Sequence, residues 1–276
     1  MSGQSTAETQ GRPRYTHGHH ESVLRSHRWR TAANSAGYLL PHLRPGMSVL
    51  DVGCGPGTIT RDLAERVGPG EVVGLDNAAD VLDDAAARPG PANVRWQLGY
   101  VHDLAFPDDR FDVVHAHQVL QHLTDPVGAL RSMRRVLRPG GLLAVRDADY
   151  QAMSWFPQVP ELDEWMSLYQ RIARLNGGEP DAGRRLVSWV HQAGLTDVSV
   201  TASTWCYTGD ERRWWADLWS DRITRSAFGA QAVQRGLASH LYLDRLAQGW
   251  RQWAENPDAV FLVPSVELLA LNREES

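Results

Sequence analysis

Along the first 150 residues the chain switches repeatedly between two hydrophobic rhythms, short apolar runs closed by glycine or aspartate and longer stretches with apolar positions three to four apart. "SVLDVGCGPGT" holds the first apolar run, Val49–Val52, which ends in glycines, the pattern of a buried strand that turns at once into a helix. That helix, "TITRDLAERV", stops at "GPG" (Gly68 to Gly70). "EVVGLD" then predicts a second strand, "AADVLDDAAA" a helix and "VRWQLGY" a third strand. "FDVVHAH" predicts a fourth strand, "DPVGALRSMRRVL" a helix and "GLLAVRDAD" a fifth strand after the turn "RPGG". Such alternation predicts an α/β fold, an open parallel sheet covered by helices on both faces.

Beyond Tyr150 the rhythm loosens into helical segments. "RRLVSWVHQAG" follows as a helix, "DVSVTASTWCY" as a sixth strand, a helical insertion over about 210–256, and "AVFLVPSVELLALN" as a seventh strand. In the insertion Trp215, Leu218, Trp219 and Ile223 share one helical face, which is therefore expected to be buried. Six of the chain's eleven tryptophans lie between Trp205 and Trp253; they read as the core of a helical cap, or in part as the wall of a pocket for a flat or apolar small molecule. Ahead of the first strand, a tail over 1–14 is expected to be disordered, and 15–44 reads as a helical lid broken near Pro41. The main domain is expected over 45–276.

Composition removes several classes of function. A net charge of -5, with both signs mixed along the length, leaves no basic face for nucleic acid. No run approaches the roughly 18 apolar residues of a membrane span, and "MSGQSTAETQGRPR" lacks the apolar centre of a secretion signal, so a cytoplasmic protein without a membrane partner is expected. Two cysteines, Cys54 and Cys206, are too few for a disulfide framework or a cysteine metal cluster. Every one of the 28 positive residues is arginine, so lysine Schiff-base chemistry has no residue to use. No feature specifies an oligomeric state.

The glycine turn narrows the ligand. "DVGCGPG" puts Asp51 at the end of the first strand and Gly53, Gly55 and Gly57 in the turn, where bare backbone lets a ligand approach. The turn lacks the later glycine of a dinucleotide fingerprint and the lysine of a phosphate-binding loop, which disfavours NAD and ATP. Asp76 ends the second strand, with Asn77 after it, where a carboxylate can accept both hydroxyls of a ribose. In "LGYVHDLAF" a backbone N–H from Val101 or His102 could meet a ring nitrogen, and the Asp103 carboxylate could accept from the exocyclic amine of adenine. His117 and Gln118 end the fourth strand, so five separated segments are expected to meet around one nucleoside.

From about Val49 to Asp149 the sequence resembles the class I S-adenosylmethionine-dependent methyltransferases, within the group that includes the ubiquinone/menaquinone biosynthesis enzymes. The resemblance rests on "VLDVGCGPG", "VVGLD", "FPDDRFDVVHAHQVLQHLTDP" and "RRVLRPGG". It implies S-adenosyl-L-methionine as cofactor and a Rossmann-like, mostly parallel sheet of seven strands, in the order 3-2-1-4-5-7-6 with strand 7 antiparallel. It also implies that Gly53 and Gly55 face the methionine part, Asp76 the ribose and Asp103 the adenine. Where many relatives carry Gly-Asp-Ala after the third strand, this chain has Gly99, Tyr100 and Val101, which implies a differently lined adenine pocket.

The stretch from Tyr15 to Thr31 holds His17, His19, His20 and His27. Only His20 and His27 share a helical face, which argues against a metal site. A packed or solvated cluster and a lid folded back over the strand ends are the other readings. "YTHGHHESVLRSHRWRTAANSAGYLLPHL" is similar to the entrance segment of gliotoxin bisthiomethyltransferase-like enzymes. That likeness implies Tyr15 and His20 over the methionine end of the cofactor, and a thiol or dithiol of a small natural product as methyl acceptor. A thiol ionises without a strong base, whereas a hydroxyl or carbon acid needs a proton acceptor, for which His20, His117 and His122 are the candidates. His122 also reads as a packed residue, and Asp147 and Asp149 as substrate-orienting or solvent-facing groups. O-, N- or C-methylation of a quinone- or polyketide-like acceptor is the runner-up. A nicotinamide dehydrogenase and a silent binding protein are the remaining classes.

Overall fold

The computed structural model describes residue 16 and residues 21–273. Tyr15, His17, His19 and His20, and the tail expected to be disordered, lie outside the described residues.

The segment before the sheet is a helix α1 (Glu21–Trp29), a single turn α2 (Ala32–Ser35) and a 3-10 turn over Leu40–His42. The helix expected to run to Pro41 thus already breaks at residues 30 and 31. Thr31 is the cause: its hydroxyl accepts from the Asn34 amide at 3.2 Å while the Asn34 side chain accepts from the Thr31 amide at 2.8 Å, a capping box that restarts the helix.

The alternating part follows in the expected order: β1 (Val49–Val52), α3 (Thr58–Val67), β2 (Val72–Asp76), α4 (Ala79–Ala86), β3 (Val94–Leu98), β4 (Phe111–His117), α5 (Pro126–Val136) and β5 (Leu137–Ala148). After β5 come a short β6 (Ser154–Phe156), α6 (Pro160–Leu175), α7 (Leu186–Gln192) and β7 (Asp197–Tyr207). The helical insertion resolves into α8 (Glu211–Arg225), α9 (Ala227–Gln234) and α10 (His240–Glu255), and β8 (Val260–Leu271) closes the described chain. β1 to β5 pair in parallel in the order β3-β2-β1-β4-β5. β8 runs antiparallel beside β5, with Arg146 opposite Glu267, and carries β7 on its other edge, with Thr201 opposite Glu267. The seven expected strands therefore stand in the expected order. β6, within a stretch whose rhythm suggested helix, is an eighth that extends the β5 side of β8 through the pair Trp155 and Phe261.

Apolar residues bury in three clusters. One holds Leu50, Val73 and Val114 with α5 and α7, and another holds Val49, Val72 and Val113 with α2 and α3, so adjacent residues of each strand feed opposite faces. The third joins α6, α8, α9 and α10 to the ends of β7 and β8. The predicted face of α8 is buried there, and Trp165, Trp219, Trp250 and Trp253 are fully enclosed. Arg146 is enclosed too, paired to Glu267 at 3.3 Å and sharing the Ser203 hydroxyl with it. Among the described residues no helix is long and apolar enough to cross a membrane.

Candidate active site

The ends of β1, β2, β3 and β4 open into one cavity that α1 and the helical cap close from the other side. Gly53, Gly55 and Gly57 have φ of +67°, +54° and +74°, a left-handed region costly to other residues. Each glycine answers to a different neighbour. A Cβ at Gly53 would sit 2.4 Å from Val119, and one at Gly57 2.1 Å from Trp96, whereas at Gly55 the nearest atom is His27 Nδ1 at 3.7 Å. Packing alone thus requires glycine at 53 and 57, while Gly55 turns its open side toward α1.

Asp76 stands at the end of β2 on the cavity wall beside Asn77. Its carboxylate accepts from the amide of Gly55 at 2.9 Å and from that of Ala78 at 3.1 Å, so one side chain ties the glycine turn to the start of α4. Asp51 also reaches the cavity, yet its carboxylate is buried and engaged, by the Thr60 hydroxyl at 2.6 Å and His115 Nδ1 at 2.7 Å. It braces α3 against β4.

After β3, Gly99, Tyr100 and Val101 line the cavity. His102 and Asp103, expected beside the adenine, do not. The Asp103 amide donates to the Tyr100 carbonyl at 3.0 Å, a turn that leaves Asp103 exposed, and His102 Nε2 lies 2.8 Å from the Asp125 carbonyl.

From the end of β4 and the turn after it, His117, Gln118, Gln121 and His122 line the cavity. Gln118 is held at φ +53°, a strained position for a residue with a side chain, while its amide donates to the Arg146 carbonyl at 2.7 Å and its side-chain oxygen accepts from Arg30 at 2.7 Å. Burial, reinforced by the positive charge of Arg30 and Arg146, holds the His117 imidazole well below its ordinary range. His122 is pushed down to about 3 by burial and by Arg30, and its Nε2 lies 3.0 Å from the Gln121 amide nitrogen. Both rings are therefore neutral near pH 7. Behind them Asp147 is fully buried, its Oδ1 accepting from the Gln121 amide at 3.1 Å, and burial raises its carboxyl to about 7. Asp149 is bound in a two-point pair with Arg184 at 2.6 and 2.7 Å. Neither aspartate lines the cavity.

Sequence reasoning did not single out Trp29, Arg30, Tyr207 and Arg222, which also line the cavity, and it counted Trp205 only among the six tryptophans read as core or wall. Tryptophan abundance between β7 and α10 was a signal for a wall, but no spacing distinguishes its lining members from its core members. Arg30 carried no signal, because it reaches the strand ends only through the break at Thr31.

A family model described as a methyltransferase domain matches residues 43–216. An uncharacterized methyltransferase of Schizosaccharomyces pombe is 33% identical over 272 residues, covering 94% of this chain and 97% of its own. A probable methyltransferase, ltbC, of Aspergillus luteorubrus is 29% identical, covering 96% and 99%. Among solved structures, the YcgJ protein of Bacillus subtilis superposes with a TM-score of 0.56 at 20% identity, covering 87% of this chain and 98% of its own, which is a likeness of fold.

Proposed function

The chain belongs to the class I S-adenosylmethionine-dependent methyltransferases, and from that premise we propose that it methylates a small-molecule thiol or dithiol. Its cofactor is S-adenosyl-L-methionine, and the residues present suit it. A left-handed glycine turn meets a carboxylate at the end of β2, and the wall continues through Gly99, where a Cβ would lie 3.0 Å from Leu75. Gly53, Gly55, Asp76, Asn77, Tyr100 and Val101 would hold it, Asp76 at the ribose. When bound it would supply a methyl carbon made electrophilic by a sulfonium, for transfer to an acceptor held in line with it.

The chemistry left to the protein is to position the acceptor, keep it ionised and exclude water. The observation that carries the thiol reading is the weak basicity of the two imidazoles on the cavity wall. A ring held near 3, like that of His122, is a poor partner for a hydroxyl or carbon proton, whereas a thiol near 8.5 ionises in part by itself and does so further beside a guanidinium. Arg30 is that guanidinium. It arrives on the segment before β1, which would act as the lid. Arg25 and Asp221 pair at 3.3 Å toward the cap, Arg28 and Asp84 pair at 3.3 Å toward α4, and Thr58 donates to the His27 carbonyl at 3.3 Å over the glycine turn.

Incubating the protein with methyl-labelled cofactor and a panel of thiols, phenols and amines tests the reading. Labelled thioethers are the expected product. Label transferred to phenols or amines but to no thiol would refute it.

A further inference from the structure

Part of the cavity is walled by aromatic rings in mutual contact. Trp29 stands edge-on to Trp205 with centroids 5.4 Å apart and lies 5.6 Å from Tyr207, which stacks on Trp215 at 4.1 Å. His117 joins the row 5.6 Å from Trp205. Such walls offer broad faces and edges that suit a flat conjugated ligand better than a flexible chain.

Two of these side chains carry polar atoms that the protein leaves unanswered. Trp215 is 5% exposed and His117 6% exposed, and among the described residues neither the indole N–H of the first nor either ring nitrogen of the second has a hydrogen-bond partner. Within the same cap Trp205 donates to the Asn34 carbonyl at 2.7 Å and Trp253 to that of Phe156 at 3.0 Å, whereas the enclosed Trp165 and Trp250 share the unpartnered state of Trp215 but lie off the cavity. An indole can only donate, and a neutral imidazole has one N–H to give, so a ligand that meets these two donors presents lone pairs, with the second imidazole nitrogen left to accept. The cavity's charged groups come from different elements. Its lining carboxylates, Asp51 and Asp76, belong to β1 and β2, and its arginines, Arg30 and Arg222, to the segment after α1 and to α8, with Arg222 seated 5.0 Å over the Trp219 ring.

We propose that the acceptor is a planar, conjugated weak acid, laid against Trp29, Trp205, Tyr207 and Trp215 and taken as its anion beside Arg30 and His117. The proposal rests on the methyltransferase reading and adds the shape and charge of the acceptor. An aromatic thiol meets both requirements, and a phenol of the same shape meets them with a less acidic group. An ammonium meets neither the charge nor the lone-pair requirement.

Titration of the protein saturated with S-adenosylhomocysteine, so that nothing turns over, separates these terms. The probes are naphthalenethiol, naphthol, cyclohexanethiol and naphthylmethylamine, followed by quenching of tryptophan fluorescence and by the ultraviolet band of the aromatic thiolate. Naphthalenethiol is expected to bind at least about tenfold more tightly than cyclohexanethiol, with its thiolate band present at a pH where the free thiol is protonated. Arg30→Gln is expected to abolish that band, and Trp215→Phe, which keeps the ring and removes the donor, to weaken binding several-fold. Both should bind S-adenosylhomocysteine within about twofold of the parent, which verifies the fold. Equal affinity for the planar and the saturated thiol, or tightest binding of the amine, overturns the proposal. Thiols methylated without preference for planarity would also overturn it while leaving the proposed function standing. Naphthol bound and methylated where no thiol is methylated would remove the thiol reading and uphold this one.

Discussion

Replacing Asp76 by asparagine tests the cofactor end of the site with almost no change in shape. In the parent, one carboxylate oxygen accepts from Gly55 and the other from Ala78. An amide can offer only one acceptor oxygen, so whichever way it turns, its NH2 faces a backbone N–H that it cannot satisfy. Losing a charge-assisted hydrogen bond costs about 1.5–3 kcal/mol. Part of that falls on the fold, as a loosened glycine turn; part falls on the ligand, because a ribose hydroxyl that donated to an anion would then meet a neutral amide. If the ligand bears the full cost, the dissociation constant for S-adenosylhomocysteine rises between about tenfold and 150-fold, since each 1.4 kcal/mol is a factor of ten. Calorimetric titration gives the constant, and a thermal melt without ligand gives the share borne by the fold. A melt lowered by about 1 kcal/mol or less, with affinity weakened by at least tenfold, is the expected outcome. Affinity within about threefold of the parent would refute the placement of Asp76 at the ribose.

Gly57→Ala should lose about 1–2 kcal/mol for left-handed backbone plus the cost of moving Trp96, whereas Gly140→Ala, at φ +72° with nothing within 4 Å of its Cβ, should lose the backbone share alone; equal denaturant midpoints would contradict the contact. Asp147 should make stability depend on pH in a defined direction. Its carboxyl is raised from 3.8 to about 7, so the folded form holds a proton that the unfolded chain has released, and the contribution, complete below 3.8, is lost as pH rises through about 7. Asp147→Asn, which imitates the protonated acid, should therefore be more stable than the parent at pH 8, by at most about 4 kcal/mol, with the gain vanishing near pH 4 in urea titrations. Arg146→Met strands the buried Glu267 carboxylate and should cost about 3–5 kcal/mol, while adding Glu267→Leu should return much of it; a double variant no better than the single would show that the pair is not the unit that matters. Removing both ion pairs of the proposed lid with Arg25→Gln and Arg28→Gln should speed release of S-adenosylhomocysteine in stopped-flow traces by a few-fold, because part-exposed pairs contribute about 0.2–1 kcal/mol each, and an unchanged rate would count against the lid proposal.

The order of strands and helices was legible because burial on a sheet and burial on a helix face leave different periods, and glycine and aspartate mark the strand ends. Val49–Val52 with its glycines, and Asp76 at the end of the next strand, are local patterns that need no partner to be read. The same holds for the buried face of α8. β6 escaped because three residues are too few to show a period, and its pairing with Phe261 is settled by β8, more than a hundred positions later. Asp103 was misplaced beside the cavity for a related reason. Distance along the chain put it next to Val101, but a hydrogen bond to Tyr100 turned it outward. Only the tertiary structure selected which of many tryptophans line the cavity, brought Arg30 to the Gln118 side chain across 88 positions, and enclosed Asp147 and His117, which raises the one and lowers the other from its ordinary range. Residue type and spacing record what each segment must bury. Which groups share a low-dielectric space depends on packing between segments, and that packing sets the charge and shape the acceptor meets.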